Sequence, residues 1–486
     1  MIRGMLHVFP RAFPTFRWPA ATVLAALAGF NLCLIVAIRS YSLPLDDAYI
    51  TLHNARVLWT GADPNYGVSA LIGATSPVHL WAVTLLYPLL AQGAAVAVSL
   101  LGAALYLAGV ERLAQRLELP LAPTLVLVLT AVGSGSAVYQ LINGLETSLA
   151  LAAVTWAIVL ALGAPSRALP LLCGALPFVR PELGILSAAL LARQLHVRWR
   201  DKALVEGAAD LLLAGAGALP WLVWVWAQTG SPLPNTAGAK VAFFADVRLP
   251  VLVKVISVLA ALCFGLGFVV VAPLFVRLSS MALAMWIYAL GFIALFAANF
   301  PDGLYHNSNR YAFALLPVGL WALAELWRTR RTLFRPLAAL LVLVAPLFIV
   351  KGASEVLQAQ AVRADAFAAA GWVSRNVPPG QPVLIHDAGV ISYASDAKLV
   401  DLVGLKTPSA IAEHQRLTLP SIGARRADAI DQIARRSGVR YAIILQDKFW
   451  VDIGKGLASR HWRLDLVRAP GAPRGYAVYR LTPPPG

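Results

Sequence analysis

The stretch AATVLAALAGFNLCLIVA at 20–37, followed after eight residues by Asp46-Asp47-Ala48-Tyr49-Ile50, decides how the rest of the chain is read. The first part has the length and apolarity that a helix needs to cross a hydrocarbon core of roughly 30 Å. The second sets two carboxylates side by side where the chain has just left that core. Ionisable groups so close to lipid are costly and mark function. Arg3, Arg11 and Arg17 precede the run, as in a signal peptide. No small-residue cleavage site follows and further apolar runs come after it, so the segment reads as an uncleaved signal anchor.

The composition is that of a membrane protein. With 59% hydrophobic residues, 13% charged residues and a mean hydropathy of +0.70, the chain is not an ordinary soluble enzyme. Its formal net charge of +16 does not indicate a nucleic-acid groove, because the basic residues fall in short loops between apolar runs. That distribution belongs to topology signals and contacts with anionic lipid. Cys33, Cys173 and Cys263 all lie within apolar segments and read as small packing residues.

Runs long enough to span a bilayer are expected at 20–39, 93–110, 119–138, 145–164, 203–228, 250–277, 280–299, 310–327 and 333–351. A further run, 168–194, is interrupted by Arg180-Pro181-Glu182 and reads as two short helices meeting at a polar elbow. Such an elbow is tolerated only where protein or water surrounds it. The count comes to about 11 membrane segments. With the N-terminus in the cytoplasm, the cytoplasmic loops carry Arg112, Arg116, Arg167, Arg198, Arg200, Lys202, Arg277, Arg328, Arg330, Arg331 and Arg335. The outer loops 40–92, 133–144 and 300–309 hold only Arg56, as the positive-inside rule requires. Asp46-Asp47 and the C-terminal region then share the outer, periplasmic face of a bacterial inner membrane.

In the long first loop, 40–92, the segment Ala48–Trp59 mixes Ile50, Val57, Leu58 and Trp59 with His53, Asn54 and Arg56, as a helix lying flat at the interface would. Ser76-Pro77 offers a capping serine and a proline at the first helical position for the apolar run that follows. Residues 1–351 therefore form the membrane domain. Residues 352–486, with 17 basic and 11 acidic residues and no membrane-length run, form a small α/β domain. Pro382–His386 and Tyr441–Leu445 are its expected strands, and Ala427–Ser437 an expected helix.

Asp46-Asp47-Ala-Tyr-Ile, Thr75-Ser76-Pro77, Asn143-Gly144-Leu145-Glu146-Thr147, Arg180-Pro181-Glu182, Pro232-Leu-Pro-Asn235-Thr236 with Lys240, Arg310-Tyr311, Asp387-Ala-Gly-Val-Ile-Ser-Tyr393 and Asp401-Leu-Val-Gly-Leu405 occur in this order. The series resembles the GT-C superfamily of polytopic membrane glycosyltransferases, and within it the branch of the mycobacterial arabinofuranosyltransferases. The likeness runs from about residue 40 to about residue 410. It implies a polyprenyl-phosphate sugar as donor, inversion at the anomeric carbon, and a first-loop acid that deprotonates the acceptor hydroxyl of a glycan, lipid or protein. Family members often carry a larger carbohydrate-binding C-terminal region than this one.

Each candidate has a plainer reading beside it. Asp46 and Asp47 divide into a general base, with Asp46 preferred, and a partner that binds substrate or a divalent metal; acids there also simply start a helix. Arg180 suits a donor phosphate, or pairs with Glu182 to make the elbow tolerable. Lys240 and Arg310 can neutralise the leaving phosphate or snorkel to lipid headgroups. Glu146 can sit near the donor sugar or serve as a first-turn charge. His306 can serve acceptor hydroxyls, and Asn235 can bind substrate or fix the turn after Pro234. His386 and Asp387 read as a solvated strand end. A lipid-linked-sugar flippase would instead favour charges at mid-membrane and repeated halves, and a lipid-linked oligosaccharide polymerase or ligase shares the same site logic.

Overall fold

A computed structural model of the chain describes residues 20–39 and 42–485, with the side chains of the first helix from Ala26 onward. Arg3, Arg11 and Arg17 lie outside the described residues. In chain order the helices are α1 (Ala20–Arg39), α2 (Asp46–Thr60), α3 (Pro77–Leu90), α4 (Gly93–Arg116), α5 (Leu121–Gly133), α6 (Ala137–Ile142) and α7 (Thr147–Ala161). Next come α8 (Ala168–Val179), α9 (Leu183–Arg200), α10 (Leu204–Thr229), α11 (Asn235–Phe244), α12 (Val251–Leu266) and α13 (Ser280–Asn299). Helices at Leu316–Thr329 and Arg331–Asn376 lead into the C-terminal sheet.

The sequence explains several boundaries. Ser76 caps α3 by accepting the His79 N–H at 3.2 Å, with Pro77 at the first helical position. Pro181 disfavours helical backbone at Arg180, which is extended at φ −156° and ψ 137°, and α8 stops there. The elbow between α8 and α9 is therefore present. The expected run 119–138 instead breaks at Ser134 into α5 and α6.

Among the described residues, five helices are long and apolar enough to cross a membrane: Gly93–Arg116, Leu204–Thr229, Val251–Phe275, Ser280–Asn299 and Arg331–Asn376. The described part of α1, together with α3, α5, α7 and α8, is apolar but only 10–17 residues long. α10 leaves Leu212, Val223 and Trp226 open on its outer surface, an apolar skin suited to lipid. The core is one continuous apolar cluster from Cys33 to Leu481 that joins the helical body to the sheet.

The last helix of the body, Arg331–Asn376, runs unbroken for 46 residues, about 69 Å at 1.5 Å per residue. It passes straight through the composition change near 351 and delivers the chain to a five-stranded sheet. The strands are β1 (Val383–Ile385), β2 (Leu399–Asp401), β3 (Tyr441–Leu445), β4 (Arg463–Arg468) and β5 (Tyr476–Thr482). Their order is β2-β1-β3-β5-β4, with the first three strands parallel and β5 antiparallel to both its neighbours. The helix Arg426–Arg436 precedes β3, within a residue of the expected position.

The first loop lies against this α/β unit. His53 and Asn54, expected on the wet side of an interfacial helix, are completely buried. Lys406, also completely buried, donates to Asn54 Oδ1 at 2.8 Å and to the Ile72 carbonyl at 3.1 Å, and stands 3.4 Å from Asp63. Asn65 donates to the carbonyls of Ser395 and Ala397, and Arg56 to those of Ser392 and Tyr393. The polar face of α2 meets protein because residues more than 300 positions later cover it. His386 is likewise no solvated strand end: it is buried, stacks on Trp450 at 4.1 Å, and accepts the Leu445 N–H.

Candidate active site

Successive residues on a helix point about 100° apart, so α2 sends its paired acids in different directions. Asp47 faces a small polar chamber of about 40 Å³, which it lines with Thr51, Thr75, Ser76, Glu146, Thr236, Lys240 and Arg310. Asp46 points the other way. Its Oδ1 accepts from Arg363 at 2.9 Å and from the Val390 N–H at 3.0 Å, and its Oδ2 from the Gly389 N–H at 2.7 Å. Burial first, and then the charge of Asp387, push the Asp46 carboxyl up to about 6 despite Arg363. Sequence reasoning preferred Asp46 as base; in the structure the carboxylate open to the chamber is Asp47.

Arg310 is aimed by strain. Asn307, Ser308 and Asn309 all take left-handed backbone, with φ of 52°, 57° and 63°. Each such residue costs about 1–2 kcal/mol, least for asparagine. Gln140 holds the turn by donating to the Asn307 and Ser308 carbonyls at 3.0 Å, and Asn309 donates to Leu304 and Ala261. Arg310 then enters the core, 3% exposed, with a guanidinium nitrogen 3.5 Å from Asp47.

Three cations converge on one ring. Lys240 donates to the Tyr311 hydroxyl at 3.0 Å and Arg310 donates to it at 2.9 Å. The guanidinium carbons of Arg180 and Arg310 each lie 4.8 Å from the ring centroid. Arg180, 1% exposed at the elbow, pairs with Glu182, yet neither of its terminal nitrogens makes a well-directed hydrogen bond. Buried donors left this way cost about 1–3 kcal/mol each. Glu146, at the start of α7, is buried in the fields of Arg310 and Arg180.

A second, apolar cavity of about 490 Å³ opens beside the chamber and shares Thr75, Thr236 and Lys240 with it. Leu233, Val241, Leu295, Phe296, Phe300 and Tyr311 form its walls, with Glu182 at the elbow. The cationic cluster thus stands where an apolar groove meets a polar chamber. Among the described residues no group of three or more His, Cys, Asp or Glu has the placement to hold a metal. The chamber's carboxylates, Asp47 and Glu146, face the protein's own Arg310.

Two candidates stand apart from the chamber. His306 packs edge-on against Phe244 at 4.7 Å, and burial pushes its imidazole down to about 4. Asn235 accepts the Gly73 N–H at 3.0 Å and donates to the Leu405 carbonyl at 2.9 Å, so it joins the chamber's loop to the C-terminal unit. Sequence reasoning missed Thr51, Thr236 and the ring of Tyr311 as an organising centre. Tyr311 sat within the Arg310-Tyr311 pair, but which cations it gathers depends on contacts across 71 and more residues.

The family model of a domain of unknown function, DUF8728, matches residues 354–479. No curated protein matches the sequence. Among solved structures, the chain is similar to ArnT from Cupriavidus metallidurans bound to undecaprenyl phosphate, with a TM-score of 0.56 and 12% identity over 95% of this chain and 97% of that one. The apo state of the same protein gives a TM-score of 0.55 with the same identity and coverage. The arabinofuranosyltransferase AftD from Mycobacteria aligns with 94% of this chain and 41% of its own, at 14% identity and a TM-score of 0.49. The chain therefore has the fold of the GT-C membrane glycosyltransferases whose motifs its sequence resembles.

Proposed function

We propose that the protein transfers a sugar from a polyprenyl phosphate to an acceptor hydroxyl at the outer face of a bacterial inner membrane. The observation that carries this reading is the placement of Arg180, Lys240 and Arg310 around Tyr311, between the 490 Å³ apolar groove and the chamber of Asp47. A lipid phosphate sugar has the same three parts in the same order: apolar chain, anionic phosphodiester and polar ring, with a second negative charge developing on the phosphate as the sugar leaves. ArnT, which shares the fold, has been seen with undecaprenyl phosphate bound.

In this reading the prenyl chain lies in the groove and its phosphate is held by the three cations. Asp47 takes the proton of the acceptor hydroxyl as the new C–O bond forms at the anomeric carbon and the bond to phosphate breaks. The electron pair of that bond goes to the phosphate, where Arg310 and Lys240 stabilise it. Glu146 and Thr236 bind sugar hydroxyls. A single displacement inverts the anomeric centre. The membrane body then has about 11 segments, with the N-terminus in the cytoplasm and the sheet on the outer face.

General-base catalysis contributes about 10²–10⁴-fold. In nanodiscs supplied with a panel of polyprenyl-phosphate sugars, Asp47→Asn is expected to lose about that much in kcat while still binding donor. Transfer by Asp47→Asn at the wild-type rate would reject Asp47 as the base. Uptake of lipid-linked sugar by proteoliposomes, without product, would instead indicate a flippase.

A further inference from the structure

The carboxylate of Asp46 is spent on a contact that the transfer chemistry does not use. Three donors reach it from two distant parts of the chain: Arg363 on the long helix, and the backbone N–H groups of Gly389 and Val390 just after β1. The approach is close enough that a Cβ on Gly389 would stand 1.9 Å from the Asp46 carbonyl oxygen, so only glycine fits. Asp387 adds a second negative charge beside Arg363, and Tyr476 donates to Asp387 at 2.6 Å. The joint therefore ties the apolar body, through the long helix, to the α/β unit and to the first turn of α2.

The neighbouring residue on that turn is Asp47. The leucine at the cap position, Leu45, has no side-chain acceptor for the helix start, and Asp46 in the first turn is the residue tied to the C-terminal unit, by three hydrogen bonds. We propose that Asp46 is a positioning residue: through Arg363, Gly389 and Val390 it clamps α2 to the C-terminal unit and so aims Asp47 at the acceptor hydroxyl. This inference rests on the reading of Asp47 as base, and it makes the α/β unit part of the catalytic apparatus. Loosening of this joint slows transfer with the donor still bound, because the side chains of Arg180, Lys240 and Arg310 take no part in it.

The test uses the full chain in nanodiscs and two independent readouts. A misplacement of about 1 Å can cost about 10²-fold in rate, so Asp46→Asn and Arg363→Met are expected to lower kcat about 10- to 100-fold with the donor KM nearly unchanged. Amide hydrogen exchange over residues 46–60 and 387–394 is expected to rise about tenfold or more in both variants and to stay unchanged in α4 and α12. The double variant is expected to lose no more than either single one, and Arg363→Lys to recover part of kcat. Asp47→Asn is expected to abolish transfer with no change in exchange. Unchanged exchange in Asp46→Asn overturns the proposal, whether kcat falls, which would make Asp46 a catalytic group itself, or stays at the wild-type value. If no donor supports transfer by the wild-type chain, the donor reading fails by itself, and the exchange arm still decides whether Asp46 clamps α2.

Discussion

At the scale of single residues, Tyr311 is the centre of the cationic cluster. Its hydroxyl accepts from both Lys240 and Arg310, and its ring lies under the guanidinium groups of Arg180 and Arg310. Removing one preorganised donor from such a site typically costs about 10²–10³-fold. Lys240→Met and Arg180→Leu are each expected to lower kcat/KM by about that factor in a single-turnover transfer assay. Tyr311→Phe keeps the ring and removes only the shared acceptor, so a smaller loss is expected. The sequence made these cations candidates by residue type and by their nearness to apolar ends. It left Asp46 and Asp47 unresolved, because their opposite directions depend on Gly389 and Val390, more than 340 positions away.

At the scale of elements, the joint between the first loop and the C-terminal unit turns on Lys406. This lysine is completely buried with Asp63, and removing one partner of such a pair costs about 3–5 kcal/mol. Lys406→Met is expected to lower the thermal unfolding midpoint markedly, and to loosen the Gly73–Ser76 wall of the chamber, where a Cβ on Gly73 would touch the Lys406 chain at 2.8 Å. Burial alone would raise Asp63, but the His53 hydrogen bond and then the Lys406 charge hold it down at about 2, with Tyr66 also facing the group. A carboxyl lowered in this way stabilises the fold above its ordinary range, near 4, and that contribution disappears as pH falls towards 2. In Lys406→Met the Asp63 carboxyl loses that charge and moves back up, so the fall of the unfolding midpoint between about pH 4 and pH 2 is expected to shrink. The cap at Ser76, the break before Pro181 and the strands β1 and β3 were legible, because local backbone chemistry sets them. The burial of His53 and Asn54 was not, since periodicity shows which face of α2 is polar but not what covers it.

At the scale of the whole molecule, the architecture is a helical body whose polar chamber is bordered by Leu405 of the C-terminal unit, with an apolar groove beside it. If that groove takes the prenyl chain, filling it should separate long donors from short ones. Ala237→Trp, a substitution at its wall, is expected to raise KM about tenfold or more for a long-chain polyprenyl donor, equal to about 1.4 kcal/mol, and to change little for a short-chain analogue. Equal effects on both donors would show that the chain lies elsewhere. The apolar helical body and the C-terminal sheet were legible from composition and local pattern. The groove was not, because its walls come from α11, α13 and the Tyr311 turn, which meet only in the folded chain.

The 46-residue helix adds a mechanical consequence. Arg363 lies twelve residues beyond Lys351, about 18 Å along the axis, so a 10° change in the tilt of the whole rod shifts that side chain by about 3 Å. That shift equals the length of the contact it makes with Asp46. Rods of this kind lean over in thin bilayers and stand up in thick ones. Turnover should therefore peak at one acyl-chain length and fall on either side of it, so that the thickness of the membrane itself acts as a throttle.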